Sequence, residues 1–286
     1  MGWIFLGLAV AGFVAMNFIM KLGSLKGHSS PTLTAALFAA AAALCLITIV
    51  VSREPLFVSA PVVLLAIGGG IGGAVAYFFF LSALKAGPYA LTISIYTMSF
   101  LIPVVFSIVV WTRTLGRSAA AGILLIVAGV TLISMSAAAA KGEAKSAWLK
   151  WLALVGAAFV LTGIPQISQA AAARLGAINF WFFLFVTFLA GALALWLFLL
   201  AKRTKPAPGL FKYGALAALG SVAGNLFTLR ALVKLPEPVV FPVSTAGPIL
   251  AAVLLAVFFF RERIKPLGFL GIAAGLAGIL FLTLGQ

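Results

Sequence analysis

The chain has 286 residues, of which 64% are hydrophobic and only 8% are charged. A soluble domain carries about 45–50% apolar and about 25% charged residues, so this composition excludes a water-soluble globular fold. The net charge of +15 would suit nucleic-acid binding in a soluble protein. In a membrane protein it indicates basic loops that set topology and contact anionic headgroups. We therefore predict an integral membrane protein that contacts lipids and no nucleic acid.

Ten apolar runs, each long enough to span a membrane, follow one another along the chain. Residues 35–51 lack the alternation of barrel strands, so helices are expected to satisfy the backbone. The first run lacks the flanks of a signal peptide, and we expect it to be retained. The fold class predicted is all-α, with ten transmembrane helices at 2–20, 31–51, 61–84, 88–111, 117–138, 148–173, 177–201, 210–233, 237–260 and 266–284.

The second half of the chain repeats features of the first. The segment LSALKAGPYA (81–90) matches LRALVKLPEP (229–238), and glycines of the fifth and tenth predicted spans also align. The aligned pairs include Ala83 with Ala231, Pro88 with Pro236, Gly122 with Gly271 and Gly129 with Gly278.

Five spans per half have a physical consequence. An odd number of spans reverses its orientation when repeated, so the halves form an inverted repeat, which is typical of alternating-access transporters with a substrate site near the midplane. The polar connection 137–150 divides the halves. We predict a first repeat at 1–140 and a second, inverted one at 141–286.

One motif carries a family resemblance. The segment FFFRERIKPLGFLGIAAGLAGILFL (258–282) resembles the end-of-half pattern of the drug/metabolite transporter superfamily, particularly its ten-helix EamA-like members. FVAMNFIMKLG (13–23) is similar to the first-helix pattern. In the first half, the position that aligns with Glu262 is Arg113. The resemblance implies a ten-helix carrier of small metabolites. We expect the charged residues 261–265 to form an ion-paired turn at the water interface.

Basic residues do not settle the orientation. Lysines and arginines are more frequent in the odd-numbered connections than in the even-numbered ones, which would place both termini outside the cytoplasm. That excess comes from the second half of the chain, and the family resemblance implies cytoplasmic termini instead. The orientation therefore stays open.

Polar side chains inside the predicted spans are the candidates for a substrate site, because they are costly in lipid. Thr92, Tyr96 and Ser99 follow one helix face of the fourth span, and the equivalent ninth span offers Ser244 and Thr245. Backbone bonding by hydroxyls and interhelical bonding by amides are the structural alternatives. The predicted substrate-binding residues are Asn17, Tyr77, Thr92, Tyr96, Ser99, Gln166, Gln169, Asn225, Arg230, Ser244 and Thr245.

The four acids restrict the substrate. Glu54, Glu143, Glu237 and Glu262 all lie at span ends or in connections. A proton-coupled exporter of cations usually needs a carboxylate inside the membrane. A neutral, zwitterionic or anionic metabolite, such as an amino acid, is therefore favoured.

Other residue types narrow the function further. The single histidine, His28, is expected to be solvated in a connection, and the single cysteine, Cys45, to pack within its span. With no phosphate-binding loop and no catalytic cluster in the sequence, we predict neither an enzyme nor an ATP-driven pump, and no cofactor or metal.

The prediction is a secondary transporter in a bacterial inner membrane, exporting its substrate by alternating access. We expect a monomer, with a dimer as the alternative. A flippase for a lipid-linked substrate and a facilitative carrier of the sugar or nucleoside type are the alternative functions.

Overall fold

A computed structural model describes residues 1–53, 59–87, 89–137, 145–176, 178–204, 207, 209–260 and 266–284. In these ranges the chain forms helices and short connections, with no strand. The helices are α1 (Gly2–Leu25), α2 (Ser30–Ser52), α3 (Ala60–Ala86), α4 (Tyr89–Thr97), α5 (Leu101–Val109), α6 (Arg117–Ala137), α7 (Lys145–Arg174), α8 (Phe180–Ala201), α9 (Leu210–Leu232), α10 (Glu237–Phe260) and α11 (Pro266–Leu284).

Seven of the described helices are long and apolar enough to cross a membrane. They are α1, α2, α3, α7, α8, α9 and α11, and shorter apolar stretches occupy 95–109 and 117–133. The all-helical, multi-pass membrane architecture is therefore confirmed. The count of ten spans stays a prediction.

The fourth predicted span, 88–111, is the one that differs from a single α-helix. A 3-10 turn at Met98–Phe100 separates α4 from α5. Pro103 supplies the physical reason, because it has no N–H to bond the Ser99 carbonyl and its ring crowds that same carbonyl. Residues 89–109 are helical throughout, and the tighter turn within them is the feature that was not predicted.

The chain divides into two compact units, and each takes residues from both halves of the sequence. Unit 1 comprises Met1–Val75 and Ile164–Leu235, and unit 2 comprises Ala76–Gly163 and Pro236–Gln286. Two helices, α3 and α7, therefore begin in one unit and end in the other.

In unit 1, α1 packs along α9. The helices approach closely at glycines: a Cβ on Gly12 would lie 2.7 Å from the Gly224 nitrogen and 2.8 Å from the Gly220 oxygen. Such small residues let membrane helices pack backbone to backbone. Gly73 of α3 faces Pro165 of α7, where a Cβ would lie 3.7 Å from the proline Cγ.

Two sequence predictions concern the packing of unit 1. Cys45 is fully buried in a cluster with Phe183 and Leu184, so its packing role is confirmed. His28 is only 8% exposed and its ring centroid lies 5.5 Å from that of Tyr213. The prediction of a solvated histidine was wrong, because the chain turns at Gly27, with φ +87°, and places His28 against α9.

In unit 2, α6 and α11 form the closest helix pair. A Cβ on Gly122 would lie 2.7 Å from the Gly278 oxygen, and one on Gly129 would lie 2.7 Å from the Gly271 oxygen. These glycines therefore hold the two backbones in direct contact.

Candidate functional site

The predicted site residues fall into two chemically different sets. Unit 1 holds the amides and the arginine, whereas unit 2 holds the hydroxyls and phenols. The first set is Asn17, Gln166, Gln169, Asn225 and Arg230, and the second is Tyr77, Thr92, Tyr96, Ser99, Ser244 and Thr245.

Two amide side chains bond each other between α7 and α9, and a third lies on the same face of α7. Gln166 and Gln169 lie three residues apart on α7 and so share a helix face. The Gln169 Nε2 donates to the Asn225 Oδ1 at 2.6 Å, and the Asn225 Nδ2 donates to the Ser221 carbonyl at 2.8 Å. We call Gln166, Gln169 and Asn225 the amide group. Asn17 lies on an exposed part of α1 and belongs to no such arrangement.

The amide group retains bonding capacity. The Gln166 Oε1 is buried and accepts no hydrogen bond from the described residues. A buried polar atom without a partner costs about 1–3 kcal/mol. Each amide nitrogen carries two N–H donors, of which the bonds above use one on Gln169 and one on Asn225. The group can therefore accept from a ligand and donate to it.

Arg230 lies against two aromatic rings. Its guanidinium carbon is 5.9 Å from the ring centroid of Phe5 and 5.9 Å from that of Phe227. The two rings are stacked at 6.1 Å with an interplanar angle of 16°. The spacing of Phe227 and Arg230 could have suggested their contact, but nothing in the sequence indicates Phe5.

Tyr96 belongs to an aromatic row in unit 2. Its ring stacks on Phe80 of α3 at 4.1 Å, and the Tyr77 ring lies 6.2 Å from Phe80. The Tyr96 side chain also hydrogen-bonds Thr162 of α7. The Thr162 hydroxyl also donates to the Ala158 carbonyl of its own helix at 2.7 Å. The aromatic run 77–80 marks Phe80 in the sequence, whereas sequence reasoning missed Thr162.

The other hydroxyl candidates are mostly buried. Thr92 is fully buried and accepts from the Trp151 Nε1 at 2.8 Å, which links α4 to α7. Ser99 is 1% exposed, and its Oγ has no hydrogen-bond partner among the described residues. Ser244 donates to the Phe241 carbonyl at 3.3 Å, and Thr245 is half-buried. Trp151 is a further residue that sequence reasoning missed.

One ion pair lies at the start of α10. The Arg113 Nε is 3.4 Å from the Glu237 Oε2, with Arg113 47% exposed and Glu237 4% exposed at their side chains. Glu237 occupies the first turn of α10, where the helix dipole favours a negative charge. It therefore lies at a helix end, as predicted. The charged segment 261–265, Glu54 and Glu143 lie outside the described residues.

The described residues contain no group of three or more histidines, cysteines, aspartates and glutamates that could hold a metal ion. The geometry instead defines a membrane protein of several apolar helices with uncharged polar groups between spans.

The sequence model of the EamA-like transporter family matches residues 1–135 and 148–284. The chain therefore belongs to the EamA-like transporter family, within the drug/metabolite transporter superfamily. Among solved structures, one described only as "Crystal structure of protein" has a TM-score of 0.80 and 21% identity, and covers 99% of this chain and 96% of its own. That likeness concerns the fold. The search of curated proteins returned no match.

Proposed function

We propose that the chain is a secondary transporter that exports a small neutral, zwitterionic or anionic metabolite, such as an amino acid, by alternating access. Family membership supports transport, and the position of all four acids outside the interiors of the predicted spans supports the substrate class. The proposed location is a bacterial inner membrane. The proposed partners are the solute and the membrane lipids.

We also propose that residues 1–140 and 141–286 are inverted five-helix repeats. The family model matches one segment in each half. Gly122 aligns with Gly271, and Gly129 with Gly278. The structure pairs Gly122 with Gly278 and Gly129 with Gly271. Such reciprocal contacts are the property of a two-fold axis, and they support a repeat with an odd number of spans.

The unused donors and acceptors of the amide group support the proposed substrate class. Its acceptor, the Gln166 Oε1, lacks a donor, and the second N–H groups of Gln169 and Asn225 remain for an acceptor. A solute with both donors and acceptors, such as a zwitterion, matches this pattern.

Flux through proteoliposomes tests this proposal. The wild-type protein should release a trapped mixture of radiolabelled amino acids, and Asn225→Leu should slow that release about tenfold or more, the loss expected for one or two buried hydrogen bonds. Thr131→Val is the matched control, because Thr131 donates only to the Val127 carbonyl of its own helix. Equal flux in the Asn225 variant and the wild type contradicts the assignment.

The same vesicles separate the alternative functions. Asn225-dependent release of labelled glucose or uridine, without amino-acid release, would favour a facilitative sugar or nucleoside carrier. Transfer of a labelled lipid across the bilayer without solute release would favour a flippase.

A further inference from the structure

Arg230 is in the last turn of α9, yet its side chain does not run toward that helix end. Its guanidinium contacts Phe227, which lies one turn nearer the middle of the helix, and Phe5 of α1. Helical side chains lean toward the N-terminus, which fits this direction. A snorkelling arginine would extend toward the nearer water interface instead. The positive charge is therefore held inside the end of the span.

The ring contacts leave the hydrogen-bonding capacity of Arg230 unused. Cation–π attraction engages the charge, but the five N–H donors of a guanidinium form a planar fork that suits two oxygens of one oxyanion. Among the described residues, Arg230 forms no hydrogen bond or ion pair, and its neighbours there are the two rings.

Within the part of unit 1 that the structure describes, there is no aspartate or glutamate to act as a counter-ion. Of the four acids in the sequence, Glu237 belongs to unit 2 and pairs with Arg113. Lys234 lies beyond the end of α9 and contacts neither ring in the cation–π pairs of Arg230. A cation within a membrane span requires a partner, because its desolvation is otherwise uncompensated.

We propose that Arg230, held by Phe5 and Phe227, binds an oxyanion, either a carboxylate or a phosphate. We call these three residues the Arg230 site. The oxyanion has two potential sources, a soluble metabolite or the headgroup of an anionic lipid. The solute source rests on the proposed transport function, whereas the lipid source does not.

Thermal unfolding of the full-length protein in phosphatidylcholine nanodiscs tests the solute source. Sodium pyruvate or inorganic phosphate should raise the Tm of the wild type by mass action, whereas glucose should not. Arg230→Gln should raise the half-saturating anion concentration about tenfold or more. Arg230→Lys should fall between the two, because lysine keeps the charge and loses the planar fork. Lys234→Gln, the matched control, should respond as the wild type does.

Nanodiscs that contain phosphatidylglycerol test the lipid source. A higher Tm in these discs than in phosphatidylcholine discs, lost in Arg230→Gln and kept in Lys234→Gln, identifies a headgroup as the ligand. Retained helical circular dichroism and a monodisperse elution profile establish that the variants are folded.

Two outcomes overturn the Arg230 site: no anion-dependent stabilisation from either source, or equal stabilisation in Arg230→Gln and the wild type. Arg230-dependent stabilisation without solute flux in the wild type removes the proposed transport function and keeps this site. Amino-acid flux without such stabilisation keeps the proposed transport function and removes the Arg230 site.

Discussion

Polar side chains in the described helices bond in two ways. Thr131, Thr187 and Thr228 each donate to the carbonyl four residues earlier in their own helix. Gln169 and Asn225 instead bond each other across two helices. The sequence marks both kinds as polar positions in apolar runs. It does not distinguish them, because an interhelical bond depends on the rotation and depth of a second helix.

The Thr92–Trp151 bond allows a test at this scale. Thr92→Val should lower the free energy of unfolding by about 1–3 kcal/mol, because it leaves the buried Trp151 N–H without an acceptor. The double variant, Thr92→Val with Trp151→Phe, should lose less unfolding free energy than the two single variants lose together. Unfolding of the purified variants by denaturant measures this coupling. Strictly additive losses would show that the bond contributes nothing.

Among the secondary-structure elements, most helix boundaries were predictable from the sequence. Nine predicted spans each coincide with one helix to within a few residues, because the apolar runs end at Gly, Pro or charged residues. The 3-10 turn between α4 and α5 was not predicted. Pro103 occurs in that span, but α7 and α10 also contain prolines and continue through them. Whether proline interrupts a membrane helix depends on neighbours that compensate the lost bond.

The contact of α6 with α11 predicts unequal effects of two similar substitutions. Gly129→Ala should destabilise by about 1–3 kcal/mol, because the new methyl would meet backbone atoms of Gly271 and Gly275 at 2.7 Å. A Cβ on Gly156 would meet no atom within 4 Å, so Gly156→Ala should leave the stability unchanged or raise it slightly. Tm values of the two variants in detergent give the comparison. A Tm for Gly129→Ala at or above that of Gly156→Ala would contradict the close contact.

For the whole molecule, the number of spans between two connections, odd or even, determines whether they lie on the same side of the membrane. Ten spans place Lys26 and Lys202 on one side of the membrane and Arg53 on the other. All three side chains are exposed. If the interrupted α4–α5 segment did not cross, Lys26 and Lys202 would lie on opposite sides.

Cysteine accessibility measures this parity. The single native thiol is buried, so Cys45→Ala provides a background without reactive cysteines. Lys26→Cys and Lys202→Cys should react with a membrane-impermeant maleimide from the same side of sealed vesicles, and Arg53→Cys from the opposite side. Labelling of Lys26→Cys and Lys202→Cys from opposite sides would exclude ten spans.

Two facing positions in unit 1 weaken the helices that contain them. They are Gly73 in α3 and Pro165 in α7. Glycine lowers the stiffness of a helix and proline removes one of its hydrogen bonds. Gly73 and Pro165 also face each other. Bending at these two facing positions therefore costs less than in a stretch of α3 or α7 that contains neither glycine nor proline.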